Sequence, residues 1–342
     1  MSLVVNAAVP AVRFNSIESC RLLAVVLLVS YHVIGAGPDG GLQVSGLHPA
    51  RLAADFLADV RMPLFAFVSG FVYAIRPVEP DRLDRFIIGK FRRLALPGAV
   101  AIAVFMILSE AMGTRFAPGG DWWQKFFLPY AHYWFLQAIL LIFVIYCSFD
   151  VMTKGRFLLP SLVMASTVYL LEWHVPFSVM SVNQVIYLLP YFILGIVFCR
   201  HGQGIAAHRN AILAAALLAS LLAAAANLAE LRDLGHFSDN RRDLQSLAFG
   251  MGISMLLFLT LPPAPQNLQM GSAAFTIYLY HVIATSFTRR ALESIGIASL
   301  DLHLLAGVIA GIGLPMLLHL AAARHPWTAM GFLGQRPASA GT

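Results

Sequence analysis

Ten apolar stretches of roughly 20 residues follow one another along this chain of 342 residues. A helix needs about 20 largely apolar residues to cross about 30 Å of membrane hydrocarbon, so each stretch is a candidate transmembrane helix. The stretches are 17–36, 55–75, 94–112, 133–149, 157–173, 184–199, 210–229, 244–261, 272–287 and 301–322. Turn-forming segments such as GAGPDGG at 35–41 separate them. The pattern predicts an all-α polytopic membrane protein with about ten transmembrane helices in one bundle.

The distribution of charge supports this fold class and gives it an orientation. Charged residues make up 12% of the chain, where a soluble domain carries roughly a quarter. The net charge of +6 comes from Lys and Arg that lie mostly between the spans, which indicates membrane orientation and not nucleic-acid binding. Thirteen of them fall on the side of the N-terminus and eight on the other side. We therefore predict cytoplasmic termini, a membrane domain over 1–323 in contact with lipid, and a loose, polar cytoplasmic tail over 324–342.

The three cysteines, Cys20, Cys147 and Cys199, lie in or beside apolar stretches without metal-ligand spacing. We expect buried thiols, no disulfide framework and no metal site. The first apolar run follows a segment with Glu18 and only two arginines, and many spans come after it. We therefore expect this run to be retained and not removed as a signal peptide.

The first span carries three ionisable residues, Glu18, Arg21 and His32. Such residues are costly in lipid, so they usually face the bundle interior and mark a site. Glu18 and Arg21 are three residues apart and can pair on one helix face. His32 follows Arg21 by eleven residues, which places both on one face about 16 Å apart along the axis. A structural histidine and an ion pair joining two helices remain the alternative interpretations.

This span, SIESCRLLAVVLLVSYH at 16–32, resembles the first helix of the acyltransferase-3 family of integral-membrane acyltransferases, with Glu18 in place of the usual Asp. Four further stretches resemble family motifs in the same order. They are VRMPLFAFVSGF at 60–71, KFRRLALP at 90–97, HYWFL at 132–136 and YLYH at 278–281. YLLPYFILG at 187–195 is similar to the sixth helix of the fucose 4-O-acetylase-like subgroup.

The resemblance implies a function. It implies O-acyl transfer, usually of acetyl, from acyl-coenzyme A to a sugar hydroxyl of a cell-envelope or exported glycan. It also implies the bacterial inner membrane as the location. Acyl-coenzyme A is then a donor substrate and the glycan an acceptor, and we expect no permanently bound cofactor.

The ionisable residues of the first span suit such chemistry. An acceptor hydroxyl must lose a proton as it attacks an acyl carbonyl, and histidine is the usual general base near neutral pH. We assign this role to His32. Arg21, closer to the cytoplasm, suits a phosphate or carbonyl oxygen of the donor, and Glu18 holds it in place.

Basic residues directly before the third span form the candidate donor site. Lys90, Arg92 and Arg93 lie in the predicted cytoplasmic loop 76–93, on the side where acyl-coenzyme A is made. Arginine suits bidentate binding of phosphate. The alternative is a topology anchor that contacts anionic lipid headgroups.

Arg61 enters the second span from the outer side, at a depth comparable with that of His32. It could orient the acceptor sugar or stabilise an oxyanion. Asp55 and Asp59 lie close to it in sequence, so an ion pair with one of them is the alternative.

Four more residues are candidates for binding the acceptor. Trp134 begins the fourth span, where an aromatic residue either anchors the helix or stacks on a sugar ring. Asn183 and Tyr187 belong to a polar stripe on the sixth span that should face the bundle interior. His281 lies in the middle of the ninth span and is the fourth candidate.

Two other classes of protein compete with an acyltransferase. A transporter or flippase also carries intramembrane charges, although no internal repeat is visible in the sequence. A non-enzymatic scaffold explains the hydropathy but not the alignment of Arg21 and His32. The sequence leaves open the identity of the acceptor, the length of the acyl group and the oligomeric state.

Overall fold

The computed structural model describes residues 11–35, 37, 40–238, 240–268 and 270–336. A helix occupies each of the ten predicted spans, and no strand occurs in this part of the chain. The ten helices are α1 (Ala11–Ile34), α3 (Ala58–Ile75), α5 (Leu96–Ala111), α6 (Trp134–Met152), α7 (Leu158–Leu170), α8 (Val182–Arg200), α10 (Arg209–Leu234), α11 (Leu244–Thr260), α12 (Ala273–Ser294) and α13 (Leu300–Ala322). Shorter helices between or after them are α2 (Pro49–Phe56), α4 (Leu83–Lys90), α9 (Gly202–Ala207) and α14 (Pro326–Leu333).

Seven helical stretches among the described residues are long and apolar enough to cross a membrane. They are Ser16–Ile34, Pro49–Ile75, Pro80–Ala111, Trp134–Met152, Val179–Arg200, Arg209–Leu234 and Leu300–Ala322. The apolar helices α7 and α11 are shorter, with 13 and 17 residues. The 22-residue helix α12 carries Arg289, Arg290 and Glu293 in its last two turns. The prediction of a polytopic helical membrane protein is confirmed, and the helices in the ten predicted spans differ in length and polarity.

Successive long helices run in alternating directions between two ends of the bundle. The proximal end is the one where α1 begins, and the distal end is the one where α1 finishes. At the proximal end, Arg200 at the close of α8 pairs with Asp150 at the close of α6, at 2.5 Å. Tyr73 at the close of α3 donates a hydrogen bond to the same carboxylate at 2.8 Å. The alternation places both ends of the described chain at the proximal end.

Two glycines allow α3 and α8 to cross with their backbones in contact. A Cβ atom on Gly70 would lie 1.9 Å from the carbonyl oxygen of Phe192, and one on Gly195 would lie 2.0 Å from that of Phe67. Small residues serve this purpose in membrane helices, whose association depends on close packing. The contact fixes α3, and therefore Arg61, within the bundle.

The basic segment 76–93 is largely helical, which differs from the predicted loop. Residues Pro80–Ala111 form one continuous helical stretch, in which a π-helical turn over Phe91–Ala95 joins α4 to α5. Pro97 has no N–H to donate, and the irregular turn lies directly before it. The turn presents Arg92 and Arg93 at the proximal end of α5.

Part of the predicted loose tail is also ordered. Residues Pro326–Leu333 form α14, in which Ala329 and Leu333 are buried. The ring of Phe332 lies 6.0 Å from that of Tyr280. The segment is apolar, so it docks on the bundle as other apolar segments do, and the expectation of a loose tail is wrong here. The boundary at 323 and the cytoplasmic placement stay predictions, and residues 1–10 and 337–342 lie outside the described residues.

Candidate active site

A cavity of about 620 Å³ opens at the distal end of the bundle. Residues of six long helices line it, among them His32 of α1, Arg61 of α3, Phe105 of α5, Trp134 of α6 and Tyr278 of α12. The three sequence-predicted residues His32, Arg61 and Trp134 therefore share one space, which we call the distal cavity.

Three histidine rings meet beside this cavity. The ring centroid of His32 lies 4.9 Å from that of His281 and 5.8 Å from that of His132. His132 and His281 are 5.1 Å apart. His132 lines the cavity, whereas His281 is fully buried behind the other two. His281 lies against His32 and not among the residues that line the cavity, and its contact with the acceptor stays a prediction.

Backbone carbonyl groups determine the tautomer of His281. Its Nδ1 lies 3.0 Å from the carbonyl oxygen of Ile277 and 2.9 Å from that of Tyr278. Carbonyl oxygens only accept hydrogen bonds, so Nδ1 carries the proton of the neutral ring. Nε2 is then a free acceptor, and it is buried without a hydrogen-bond partner in the described structure. This basic nitrogen belongs to a ring that touches His32.

His132 was predicted only as a member of the HYWFL motif and not as a site residue. It lies two residues before the start of α6 and is 5% exposed. Its Nε2 lies 3.4 Å from the carbonyl oxygen of Leu279, and its Nδ1 is buried without a partner among the described residues. Its place in the HYWFL motif, directly before the apolar span 133–149, was the available signal.

Arg61 is 8% exposed and keeps its charge available to the cavity. Its guanidinium lies 3.6 Å from the centre of the Tyr31 ring and donates to the carbonyl oxygen of Ala54 at 2.8 Å. Asp55 and Asp59 bind other arginines, so the alternative of an Arg61 ion pair is wrong.

The two carboxylates have partners elsewhere on the distal side. Asp55 pairs with Arg51 at 3.2 Å, and Asp59 pairs with Arg241 at 3.3 Å. Both partners lie closer in space than Arg61, although Arg241 is distant in sequence.

A second cavity, of about 850 Å³, opens at the proximal end. The four predicted donor-site cations line it: Arg21, Lys90, Arg92 and Arg93. Nε and Nη1 of Arg92 are buried without hydrogen-bond partners in the described part of the chain. The ammonium of Lys90 lies 3.4 Å from the centre of the Phe143 ring. Basic groups therefore line this proximal cavity, and the guanidinium of Arg92 has N–H donors that no described residue uses.

Glu18 lies beside the proximal cavity without lining it. It forms an ion pair with Arg21, as predicted. Its second oxygen accepts a hydrogen bond from the N–H of Gly271 at 3.3 Å. Glu18 therefore links α1 to the segment before α12 and holds Arg21 in position.

Tyr278 lines both cavities. Its hydroxyl donates to the carbonyl oxygen of His132 at 2.6 Å and accepts from the N–H of Leu136 at 3.3 Å. The side chain therefore stands where the two cavities approach each other. Its position three residues before His281, on one helix face, was the signal in the sequence.

The structure places Asn183 and Tyr187 outside the walls of both cavities. The amide of Asn183 exchanges two hydrogen bonds with the backbone of Val175, at 2.8 and 3.1 Å. Tyr187 stacks on Tyr169 with ring centroids 6.0 Å apart. Neither side chain lines a cavity in the described structure, and their role in binding the acceptor stays a prediction.

The helices define a polytopic membrane protein with two cavities that titratable groups line. Residues 14–320 match the model of the acyltransferase-3 family, described as an acyltransferase domain. The chain therefore belongs to the acyltransferase-3 family and is a membrane acyltransferase. No curated protein and no solved structure matches the chain.

Proposed function

We propose that this membrane acyltransferase transfers an acetyl group from acetyl-coenzyme A to a sugar hydroxyl of an envelope or exported glycan. It would do so in the bacterial inner membrane, with both termini in the cytoplasm, as a member of the fucose 4-O-acetylase-like subgroup. The observation that carries the proposal is the approach of two cavities at Tyr278. One cavity has the charge to hold the phosphates of a donor, and the other has a histidine that can take a proton.

The donor would occupy the proximal cavity. Coenzyme A carries three phosphate groups, and guanidinium groups bind phosphate through paired hydrogen bonds. Arg92 has buried donors that no described protein group uses, so a phosphate would satisfy them. The bias of Lys and Arg towards this end supports its exposure to the cytoplasm, where the donor is made.

The pantetheine arm would reach the distal cavity past Tyr278. Arg21 and His32 are separated by about 16 Å along α1. This distance is similar to the reach of an extended arm of about ten to twelve bonds. A donor held by its phosphates at the proximal end would thus present its thioester near His32.

The transfer itself needs no covalent enzyme intermediate. His32 accepts the proton of the acceptor hydroxyl while the hydroxyl oxygen forms a bond to the thioester carbonyl carbon. Arg61 donates to the carbonyl oxygen as negative charge develops there. The carbon–sulfur bond then breaks, the acetyl group remains on the sugar, and the thiolate leaves with the proton that His32 held.

The test uses the purified protein in lipid nanodiscs with radiolabelled acetyl-coenzyme A and de-O-acetylated envelope glycan. Label should appear on the glycan, and His32→Ala should lower the rate by a factor of about 10² to 10⁴, the usual contribution of a general base. The matched control is His174→Ala, because His174 is exposed and lines neither cavity. Transfer by His32→Ala at the rate of the unaltered protein would contradict the proposal. A covalent acyl group that forms on the protein and then moves into product would contradict the direct transfer.

A further inference from the structure

The charged side chains that line the distal cavity, among the described residues, are all positive. Four arginines line it: Arg61, Arg115, Arg289 and Arg290. No aspartate or glutamate is found among the described residues that line it. A low-dielectric wall with charges of one sign concentrates the opposite charge in the cavity.

Only one of the four arginines is neutralised by a neighbour in the described structure. Arg289 pairs with Glu293 at 2.7 Å, one turn along α12. Arg115 lies 5.0 Å from the centre of the Phe116 ring. Neither Arg115 nor Arg290 forms an ion pair with another described residue. Arg61 has no carboxylate partner within the described part of the chain either. Three guanidinium charges therefore face one cavity without a counterion from the residues that the structure describes.

The arginines occupy two depths. Arg61 lies inside, beside Tyr31 and the histidines, whereas Arg115 and Arg290 are exposed at the mouth. Arg289 follows His281 by eight residues of α12, so about 12 Å of helix axis separates the mouth from the histidine cluster (His32, His132 and His281). An acceptor that fills the cavity would place one part at the histidines and another at the mouth.

Guanidinium groups select for a particular chemistry. They are donors only, whereas a neutral sugar hydroxyl is bound best by partners that both donate and accept. Their planar donor pairs match carboxylate and phosphate oxygens. An anionic group on the acceptor would supply the counterion that the cavity wall lacks.

We infer that the acceptor is an anionic glycan, with a carboxylate or phosphate held by Arg115 and Arg290 and the acylated hydroxyl placed at His32. The inference rests on the proposed function, in which the distal cavity holds the acceptor. It adds the class of acceptor, which the family does not specify.

The experiment compares three forms of one acceptor. De-O-acetylated envelope polysaccharide is used untreated, after reduction of its carboxyl groups to alcohols, and after removal of its phosphates with hydrofluoric acid. The protein is held in nanodiscs of uncharged lipid with saturating acetyl-coenzyme A. We expect kcat/KM to fall about ten-fold or more for one treated form, the loss of one or two charge-assisted hydrogen bonds. The form that fails identifies carboxylate or phosphate as the group recognised.

The double variant Arg115→Gln/Arg290→Gln tests the residues. It should raise KM for the anionic acceptor towards that of the neutralised form, while KM for acetyl-coenzyme A stays the same. The matched control is Arg232→Gln, because Arg232 is also exposed near the distal end but pairs with Asp233 and does not line the cavity.

Three results would overturn the inference. The first is equal use of all three acceptor forms, which leaves the proposed acetyl transfer standing. The second is an effect of the double variant that depends on anionic lipid in the nanodisc and not on acceptor charge, because the arginines would then bind headgroups. The third is the absence of transfer to any form by an enzyme that binds acetyl-coenzyme A, which would remove the proposed function as well.

Discussion

The imidazole rings of His32 and His281 lie edge to face, with centroids 4.9 Å apart, although they come from the first and the ninth long helix. Two backbone carbonyls hold Nδ1 of His281, so its orientation is determined within α12. His32 is only partly buried and also lines the distal cavity. The pair therefore consists of a fixed ring and a second ring that can meet substrate.

We predict that His281→Asn impairs the positioning of His32 without affecting donor binding. The value of kcat should fall about ten-fold to a hundred-fold, because a general base loses efficiency when its orientation is not maintained. Initial rates measured with the acceptor varied, and the pH profile of kcat, check this prediction. His208→Asn is the control, since His208 is exposed and lines neither cavity. An unaltered kcat and pH profile would assign His281 to packing alone.

Tyr278 should control passage between the two cavities. We predict that Tyr278→Trp, with its larger ring, lowers transfer more than ten-fold while acetyl-coenzyme A still binds, because the thioester cannot pass. Tyr278→Phe keeps the size of the ring and removes two hydrogen bonds, so it should mainly reduce stability, by about 1 kcal/mol for each bond. Donor affinity, transfer rate and melting temperature separate the two effects. Full transfer by Tyr278→Trp would place the route of the donor elsewhere.

The free donors of Arg92 predict a role in binding the phosphates of the donor. Arg92→Gln together with Arg93→Gln should weaken the affinity for acetyl-coenzyme A by about ten-fold to a hundred-fold, since charge-assisted hydrogen bonds contribute about 1.5–3 kcal/mol each. Equilibrium binding measures this change, and the KM for acceptor should stay constant. Arg156→Gln is the control, because Arg156 is exposed and does not line the proximal cavity. Equal losses for donor and acceptor would point to a general loss of structure.

The orientation of the protein can be tested with thiol labelling in intact cells. Arg82 and Arg115 lie at opposite ends of the helical stretch that contains α4 and α5. In a protein without its three native cysteines, Arg82→Cys should resist a membrane-impermeant maleimide, and Arg115→Cys should react with it. The physical reason is the excess of Lys and Arg at the proximal end. The reverse labelling pattern would place the proximal cavity outside and remove the donor assignment.

The close crossing of α3 and α8 should be sensitive to one added methyl group. Gly195→Ala would put a Cβ atom 2.0 Å from the carbonyl oxygen of Phe67, so the helices must separate. We expect a loss of about 1–3 kcal/mol, typical of an overpacked core, seen as a lower melting temperature and less protein in the membrane. Gly313→Ala is the matched control, because an added Cβ there has nothing within 4 Å. Equal stability of the two variants would show that the crossing is not tightly packed.

The sequence by itself determined the fold class and the location of the ionisable groups. Long apolar runs can only be membrane helices, because lipid offers no partner for an unpaired backbone. The same argument assigned Arg21, His32 and Arg61 to the interior, and the pairing of Glu18 with Arg21 followed from their spacing within one helix. These conclusions depend on the hydropathy of each stretch and on residue spacing within one helix, and both can be read from the sequence.

Tertiary structure alone decided which interior groups meet. His32, His132 and His281 belong to three separate parts of the chain, and only the packing of α1, α6 and α12 brings their rings within 6 Å of one another. Packing likewise pairs Asp59 with Arg241 and not with Arg61. It also places the side chain of Asn183 against the backbone of Val175. Helical periodicity indicates which face of a helix is polar, but the neighbour of that face depends on the close approach of whole helices.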